Sequence, residues 1–126
     1  MIRNAADWFE IPAANLERAI AFYEKVFDFE LQPMELANKL RMAMFPIDPS
    51  KGVGGALCQH EEFYTPSQTG TLVYLNADPD LSVALHRVEK AGGRVLVPKT
   101  QISDEHGYMA VFIDCEGNRV ALHSRG

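Results

Sequence analysis

An internal repeat is the feature that most constrains what this chain can fold into. Residues about 65 positions apart match repeatedly along the sequence. The matches include Leu16 with Leu81, Ala19 with Ala84, Glu24-Lys25 with Glu89-Lys90, Pro33 with Pro98 and Gly52 with Gly117. They fall at equivalent positions of the predicted elements, so a duplicated unit explains them better than chance. The 126 residues therefore form one domain of two modules, about residues 1–62 and 69–126.

The first module begins with a strand and a helix. Residues 7–11 alternate, with Phe9 and Ile11 on one side and Trp8 and Glu10 on the other, which is strand periodicity. Pro12 ends the strand, and Asn15 is a good N-cap for a helix. Apolar residues then recur at helical spacing from Leu16 to Phe27. Three short strands are predicted to follow the helix.

The second module repeats this order. Residues 71–76 are predicted to form its first strand, and Asp80 is predicted to cap its helix. Gly92-Gly93 ends the helix. The last three strands are predicted at residues 94–98, 108–113 and 119–123, with Glu116-Gly117-Asn118 as a tight turn before the last one. This order predicts an α+β fold of two βαβββ modules.

Each helix covers one face of its sheet, so the opposite faces should form a concave surface around a cavity. Period-two alternation assigns Phe9, Ile11, Leu72, Tyr74, Val120 and Leu122 to the helix side. The concave side then receives Trp8, Glu10, Ala56, Cys58, Thr71, Val73, Leu75, Ala121 and His123. The assignment inverts for any strand that slips by one residue.

Composition excludes several classes of function. The net charge is −5 and Lys and Arg never cluster, which argues against nucleic acid as a partner. No stretch of about 18 apolar residues is present, so no membrane span is expected. The N-terminal residues lack the apolar region of a signal peptide, so we expect a cytoplasmic protein. In that setting Cys58 and Cys115 are expected to be free thiols.

Two motifs resemble those of the vicinal oxygen chelate superfamily, which includes glyoxalase I, bleomycin-resistance proteins and extradiol dioxygenases. Residues 15–23 read Asn-Leu-Glu-Arg-Ala-Ile-Ala-Phe-Tyr, similar to the family's D-L-x-x-A-x-x-F-Y helix. Residues 114–118 read Asp-Cys-Glu-Gly-Asn, similar to its D-P-E-G-N turn. The resemblance implies the glyoxalase-like fold. Because open sheet edges need covering and members of the superfamily often pair modules across chains, we expect a homodimer, with Phe63 and Tyr64 as candidate contacts.

The resemblance also implies where a metal would bind. The family positions for metal ligands fall on Trp8, Ala56, Ala121 and, in the second module, Val73 or Thr71. None of these side chains is a good ligand for a divalent cation. We therefore expect neither a metal nor another cofactor.

The predicted ligand-binding residues are Trp8, Glu10, Cys58, Val73, Tyr108, Ala121 and His123. Trp8 could stack on a planar ligand, or it could fill the hollow as core. Glu10 could act as a base or orient a ligand, and equally could be a solvated carboxylate near a strand end. Cys58 could equally be a buried structural residue, and His123 a surface histidine. Phe45, Phe63 and Tyr64 could complete an aromatic wall beside Trp8.

The preferred interpretation is a metal-independent protein that binds a small molecule, closer to the antibiotic-binding resistance proteins than to glyoxalases. The alternative is a lyase, isomerase or dioxygenase of the same superfamily with a non-standard active site. A third possibility is a regulatory or interaction subunit without a ligand. The identity of the ligand does not follow from the sequence.

Overall fold

The computed structural model describes residues 4–126 and contains two helices and two four-stranded sheets. The first module contains β1 (Trp8–Pro12), α1 (Leu16–Phe27), β2 (Gln32–Glu35), a 3₁₀ turn (Ala37–Lys39), β3 (Arg41–Met44) and β4 (Gly54–Gln59). The second contains β5 (Tyr74–Asn76), α2 (Ser82–Val88), β6 (Arg94–Ser103), β7 (Gly107–Ile113) and β8 (Arg119–Ser124). The predicted α+β order of two βαβββ modules is confirmed.

The two sheets have the same topology. Their strand orders are β1-β4-β3-β2 and β5-β8-β7-β6. In each sheet the first and last strands of the module pair in parallel, and the other neighbours pair antiparallel. Neither sheet closes into a barrel, so each module keeps an open edge. Among residues 4–126, no helix is long and apolar enough to cross a membrane.

Helix α1 has the predicted bounds because its end signals are strong. The Asn15 side chain accepts a hydrogen bond of 3.0 Å from the Arg18 N–H group, which is the N-cap geometry. At the other end, Asp28 adopts a left-handed conformation with φ 56°, and its N–H group donates to the Glu24 carbonyl. The apolar side of the helix, from Leu16 to Val26, is buried.

Helix α2 is shorter, and its start differs slightly from the prediction. It begins at Ser82, and the Asp80 carboxylate accepts a 2.9 Å bond from the Ser82 N–H group. The predicted stop is confirmed, because Gly92 has φ 109° and the Gly93 N–H group bonds to the Val88 carbonyl at 2.9 Å.

One main core joins both modules. Its members lie on the helix sides of both sheets and on the buried faces of α1 and α2, and include Ile11, Phe22, Tyr23, Leu57, Leu75, Leu81, Val88, Phe112, Val120 and Leu122. A smaller cluster of Met42, Ala56 and Cys58 lies on the other face of the first sheet. We call the face of each sheet turned away from the helices its helix-free face.

The side chains of strand β5 face the opposite sides of the sheet from those predicted. Leu75 is only 7% exposed and belongs to the main core, whereas Tyr74 is 51% exposed. Ile11 pairs with Leu57 in the first sheet, and Leu75 pairs with Leu122 in the second. The cause is an extra residue, since three residues separate Ala77 from Leu81 but only two separate Ala13 from Leu16. The offset that aligns the helices therefore misaligns the strands by one residue.

The turn at residues 114–118 joins the two modules, and we call its contacts with the first module the joint. The buried Asp114 carboxylate accepts hydrogen bonds from the Tyr23 hydroxyl at 2.8 Å and from the Asn118 side-chain amide at 3.0 Å. The same amide donates to the Pro12 carbonyl at 2.7 Å. Burial, followed by the charge of Asp114, raises the pKa of Tyr23 well above its ordinary value. The Tyr23 hydroxyl therefore keeps its proton and remains a donor.

Glu116 extends this joint to the start of α1. One of its oxygens accepts the N–H groups of Ala14 and Asn15 at 2.9 and 2.7 Å, and the other is paired with the Arg18 guanidinium. Burial acts to raise the pKa of Glu116, but the hydrogen bonds from Arg18 and Asn15 outweigh it, and the pKa is lowered. The carboxylate is also well placed for the positive end of the helix dipole.

Candidate functional site

The helix-free face of the first sheet brings together Trp8, Glu10 and Cys58, three of the predicted site residues. Strand pairing places Glu10 beside Ala56, and Cys58 lies two residues further along β4 on the same face. Strand β3 adds Met44 opposite Ala56 and Met42 opposite Cys58. The surface is therefore apolar except for the carboxylate of Glu10.

Two aromatic side chains hold this carboxylate. The Tyr64 hydroxyl donates to one oxygen of Glu10 at 2.6 Å, and the Trp8 indole N–H donates to the other at 3.3 Å. Tyr64 comes from the segment after β4, which turns back over the sheet and packs on the Met42–Ala56–Cys58 cluster. Among residues 4–126, Glu10 forms no ion pair within 4.0 Å. The negative charge therefore lies between two neutral aromatic donors.

Trp8 does not fill this face as core. Its side chain is 42% exposed, which contradicts the alternative of a packed, buried indole. The other residues of the predicted aromatic wall do not lie together beside Trp8. Tyr64 joins Glu10, Phe45 packs against Phe9 with ring centroids 5.4 Å apart, and Phe63 is 75% exposed beside His60.

Cys58 forms part of the floor of the face and is fully buried. Burial first, and then the charge of Glu10, raises the pKa of its thiol to about 12. The thiol is therefore neutral at physiological pH and is a poor nucleophile. The hydrogen bond to Glu10 is likewise the main reason why the pKa of Tyr64 is raised, so Tyr64 also remains a donor.

The remaining predicted residues lie in the second sheet and do not meet at this point. Ala121 is buried on the helix-free face and pairs with Tyr74, which sequence analysis had assigned to the opposite face. His123 lies two residues further on, and its Nε2 is 2.6 Å from the His106 carbonyl oxygen. It lines a separate hollow with residues 104–107 and Arg125.

Val73 does not lie on the concave face to which alternation assigned it, and Tyr108 does not lie there either. Val73 packs against the main core, with its carbonyl accepting the Ala121 N–H group at 2.9 Å. Tyr108 pairs with Ser124, whose buried hydroxyl accepts the Leu81 N–H group, and the Tyr108 ring lies 4.5 Å from the Lys99 ammonium. Both side chains therefore belong to the helix side of the second sheet. Leu75 does too, as the register of β5 shows.

Comparison with known proteins identifies the family of this fold. The glyoxalase/bleomycin resistance protein/dioxygenase superfamily matches residues 5–122. The chain belongs to this superfamily. A glyoxylase-like domain-containing protein from Didymella fabae is 31% identical over an alignment of 122 residues that covers 92% of this chain and 90% of that protein. The resemblance of residues 15–23 and 114–118 to the superfamily motifs therefore led to the right family.

Solved structures of the superfamily share the fold. Glyoxalase I from Zea mays matches 94% of this chain with a TM-score of 0.68 and 21% identity. This chain spans 45% of the maize chain, just under half its length. A glyoxylase/bleomycin resistance protein/dioxygenase domain from Frankia sp. EAN1pec matches 96% of this chain and 97% of its own, with a TM-score of 0.71 and 15% identity. At these identities the likeness shows the fold alone.

The corrected register also moves one of the family's metal positions. Since Tyr74 is the counterpart of Glu10, the counterpart of Trp8 is Leu72, and neither Val73 nor Thr71. With this register, the four positions that the resemblance implies for metal ligands are Trp8, Ala56, Leu72 and Ala121. Within residues 4–126, no group of three or more His, Cys, Asp or Glu side chains is arranged to hold a metal ion.

Sequence analysis missed Tyr74, Met42 and Met44 as residues of the helix-free faces. The signal for Tyr74 was the match of Leu75-Asn76-Ala77 to Ile11-Pro12-Ala13, in which both alanine N–H groups bond to the last strand of their module at 2.8 Å. Met42 and Met44 carried no signal in the sequence. Strand β3 is so short that alternation cannot show which of its side chains face the core until its neighbouring strands are known.

Proposed function

We propose that this protein binds a small planar molecule on the helix-free face of its first sheet, without a metal ion. The observation that carries the proposal is the Glu10 carboxylate, which accepts hydrogen bonds from Tyr64 and from the partly exposed indole of Trp8. A mostly apolar surface with a few fixed polar groups is the usual form of a small-molecule site.

Each part of the face has a role in this proposal. The exposed indole of Trp8 stacks on the flat face of the ligand. Each oxygen of Glu10 has accepted one hydrogen bond and retains a lone pair, so the carboxylate accepts a further bond from a hydroxyl or amine of the ligand. Ala56 and Cys58 are fully buried, and together with Met44 and Tyr64, which pack against them, they form the floor of the face.

The absence of a metal requirement follows from the side chains at the family's ligand positions. Indole, methyl and isobutyl groups offer no lone pair to a divalent cation. The donor set therefore does not fit a catalytic metal. Elemental analysis of protein purified without chelators should find no zinc, nickel, manganese or iron near stoichiometry, and one metal ion per chain would contradict the proposal.

Trp8→Ala tests the binding site. A screen of small aromatic compounds, followed by the fluorescence of the single tryptophan, should find a ligand that changes the Trp8 emission. Trp8→Ala should abolish binding, measured by calorimetry, and should change the free energy of unfolding by less than about 1 kcal/mol because the side chain is partly exposed. Val83→Ala, at an exposed position on α2, is the control and should bind normally. Unchanged binding by Trp8→Ala would place the site elsewhere.

We further propose that two copies of the chain associate. Trp8, Met34, Phe63 and Tyr74 are large apolar side chains that remain exposed, and both sheets have open edges. Of the two expected contacts, Phe63 is exposed, whereas Tyr64 is committed to Glu10. Light scattering at micromolar concentration should give twice the 14.1 kDa of one chain, and a monomer would contradict the proposal.

A further inference from the structure

A cleft between the modules is lined by Arg119, whose guanidinium is only partly hydrogen-bonded. The cleft has a volume of about 220 Å³ and runs between the end of β1 and the start of β8. The polar residues of its lining are Glu10, Thr65, Ser67, Thr71, Asn118 and Arg119. Glu10 is therefore shared between this cleft and the proposed binding face.

Arg119 is incompletely satisfied where it stands. One Nη atom donates to the Gly70 carbonyl at 3.2 Å. Its Nε atom is buried without any hydrogen-bond partner, and no other buried side-chain nitrogen or oxygen within residues 4–126 is in this state. A buried, unpaired donor costs roughly 1–3 kcal/mol, and more when the group is charged. Because Arg119 lines the cleft, an unpaired donor at this wall indicates that an acceptor belongs beside it.

The charge of Arg119 is also unpaired. No carboxylate of residues 4–126 lies within 4.0 Å of its guanidinium. Glu10 lines the same cleft, but its oxygens face the Tyr64 hydroxyl and the Trp8 indole. The cleft therefore offers a cation on one wall and an anion on the other.

We propose that Arg119 binds the carboxylate of the ligand, so that the protein recognises a small organic acid that also carries a hydroxyl or amine for Glu10. A guanidinium presents parallel N–H groups that match the two oxygens of a carboxylate. The Thr65, Ser67 and Thr71 side chains bring hydroxyl groups to the same cleft. This inference rests on the proposed function for the aromatic part of the ligand, but the anion site can be tested alone.

Acetate tests the anion site directly. In the ¹⁵N-labelled full chain, the Arg119 Nε–H resonance, assigned by its loss in Arg119→Lys, should shift and saturate as acetate is added. Acetamide, or chloride at the same ionic strength, should not produce this shift. Trp8→Ala should leave the acetate response unchanged, so the result does not depend on the proposed function. An Arg119 signal that acetate and chloride shift equally would overturn the inference.

Matched pairs of probes test the link to the binding face. Benzoate and benzamide share a ring and differ in charge, as do 4-hydroxyphenylacetate and its amide. The acids should bind about tenfold more tightly or better, as expected for a charge-assisted hydrogen bond, and Arg119→Gln should remove the preference. Acid and amide that change Trp8 fluorescence with equal affinity would overturn the inference while leaving the proposed function intact. If acetate gives the saturable response but the screen finds no aromatic ligand, the proposed function alone is contradicted.

Discussion

The two modules share an aspartate-led turn but use it differently. In the first module, Asp48 accepts the Ser50 N–H group at 3.0 Å, and its carbonyl accepts the Lys51 N–H group at 2.9 Å. In the second, Asp114 accepts the Glu116 N–H group at 2.9 Å, and its carbonyl accepts the Gly117 N–H group at 3.1 Å. The local geometry is repeated, yet Asp48 is exposed at the surface and Asp114 is buried against the other module.

This difference shows that the Asp-Cys-Glu-Gly-Asn motif serves assembly. The second carboxylate oxygen of Asp114 is bonded to Tyr23, Asn118 is bonded to Pro12, and Glu116 is bonded at the start of α1. The turn at Asp48 has no side chains corresponding to these contacts. A motif that identifies the family therefore has a structural role here, away from the proposed binding face.

The largest expected effect comes from removing the two aspartates in turn. Asp114→Ala should lower the free energy of unfolding by about 3 kcal/mol or more, because it leaves the Tyr23 hydroxyl and two N–H groups buried without an acceptor. Asp48→Ala, the control, should cost less than about 1 kcal/mol at its exposed turn. Urea unfolding of both variants checks this, and equal losses would show that the turns are equivalent.

The next effect tests the register that distinguishes the first strands of the modules. Leu75→Ala should lower the free energy of unfolding by roughly 2–5 kcal/mol, since Leu75 lies in the main core. Tyr74→Ala should cost about 1 kcal/mol or less, because its side chain is half exposed. Chemical denaturation should separate the two variants clearly. The reverse order of stability would restore the register predicted from the repeat.

The smallest effect is the pH dependence of the joint. The pKa of Glu116 in the folded protein lies below its ordinary value of 4.5, so its ionisation stabilises the fold above that pH and the contribution is lost as pH falls. Between pH 5 and 3, the free energy of unfolding should therefore fall less steeply in Glu116→Gln than in the unmodified protein.

Asp48→Asn provides the comparison for this measurement. The pKa of Asp48 is also lowered, by hydrogen bonds from Ser50, but the residue is exposed and contacts only its own turn. Asp48→Asn should change the fall in the free energy of unfolding between pH 5 and 3 less than Glu116→Gln does. If the free energy of unfolding falls equally with pH in the unmodified protein and in Glu116→Gln, the joint does not depend on this charge.

The sequence predicted the fold where its local signals were strong. Helix α1 follows from Asn15 and a regular apolar stripe, and the end of the second helix follows from Gly92. Alternation also worked in β1, where Glu10 interrupts an apolar run and fixes the phase. Trp8, Glu10 and Cys58 were therefore assigned to the correct face.

The prediction was wrong where alternation is invisible. Leu72, Val73, Tyr74 and Leu75 are all apolar, so either face could be turned to the core. Residues 108–113 are also apolar throughout, and the hairpin at Gly107, which has φ 76°, fixes which of them face the core. In both strands, pairing with β8 decides which side chains are buried, and that information is not local.

The joint at Asp114 has a consequence for how the halves of the molecule depend on the chain between them. Its contacts connect residues 114–118 with residues 12–23, and none of them uses the exposed segment at residues 61–63. Proteolysis within that segment should leave two fragments that stay associated through the common core, because exposed loop tips tolerate nicking. The halves of this protein are then natural candidates for fragment complementation, with each one supplying half of the interior of the other.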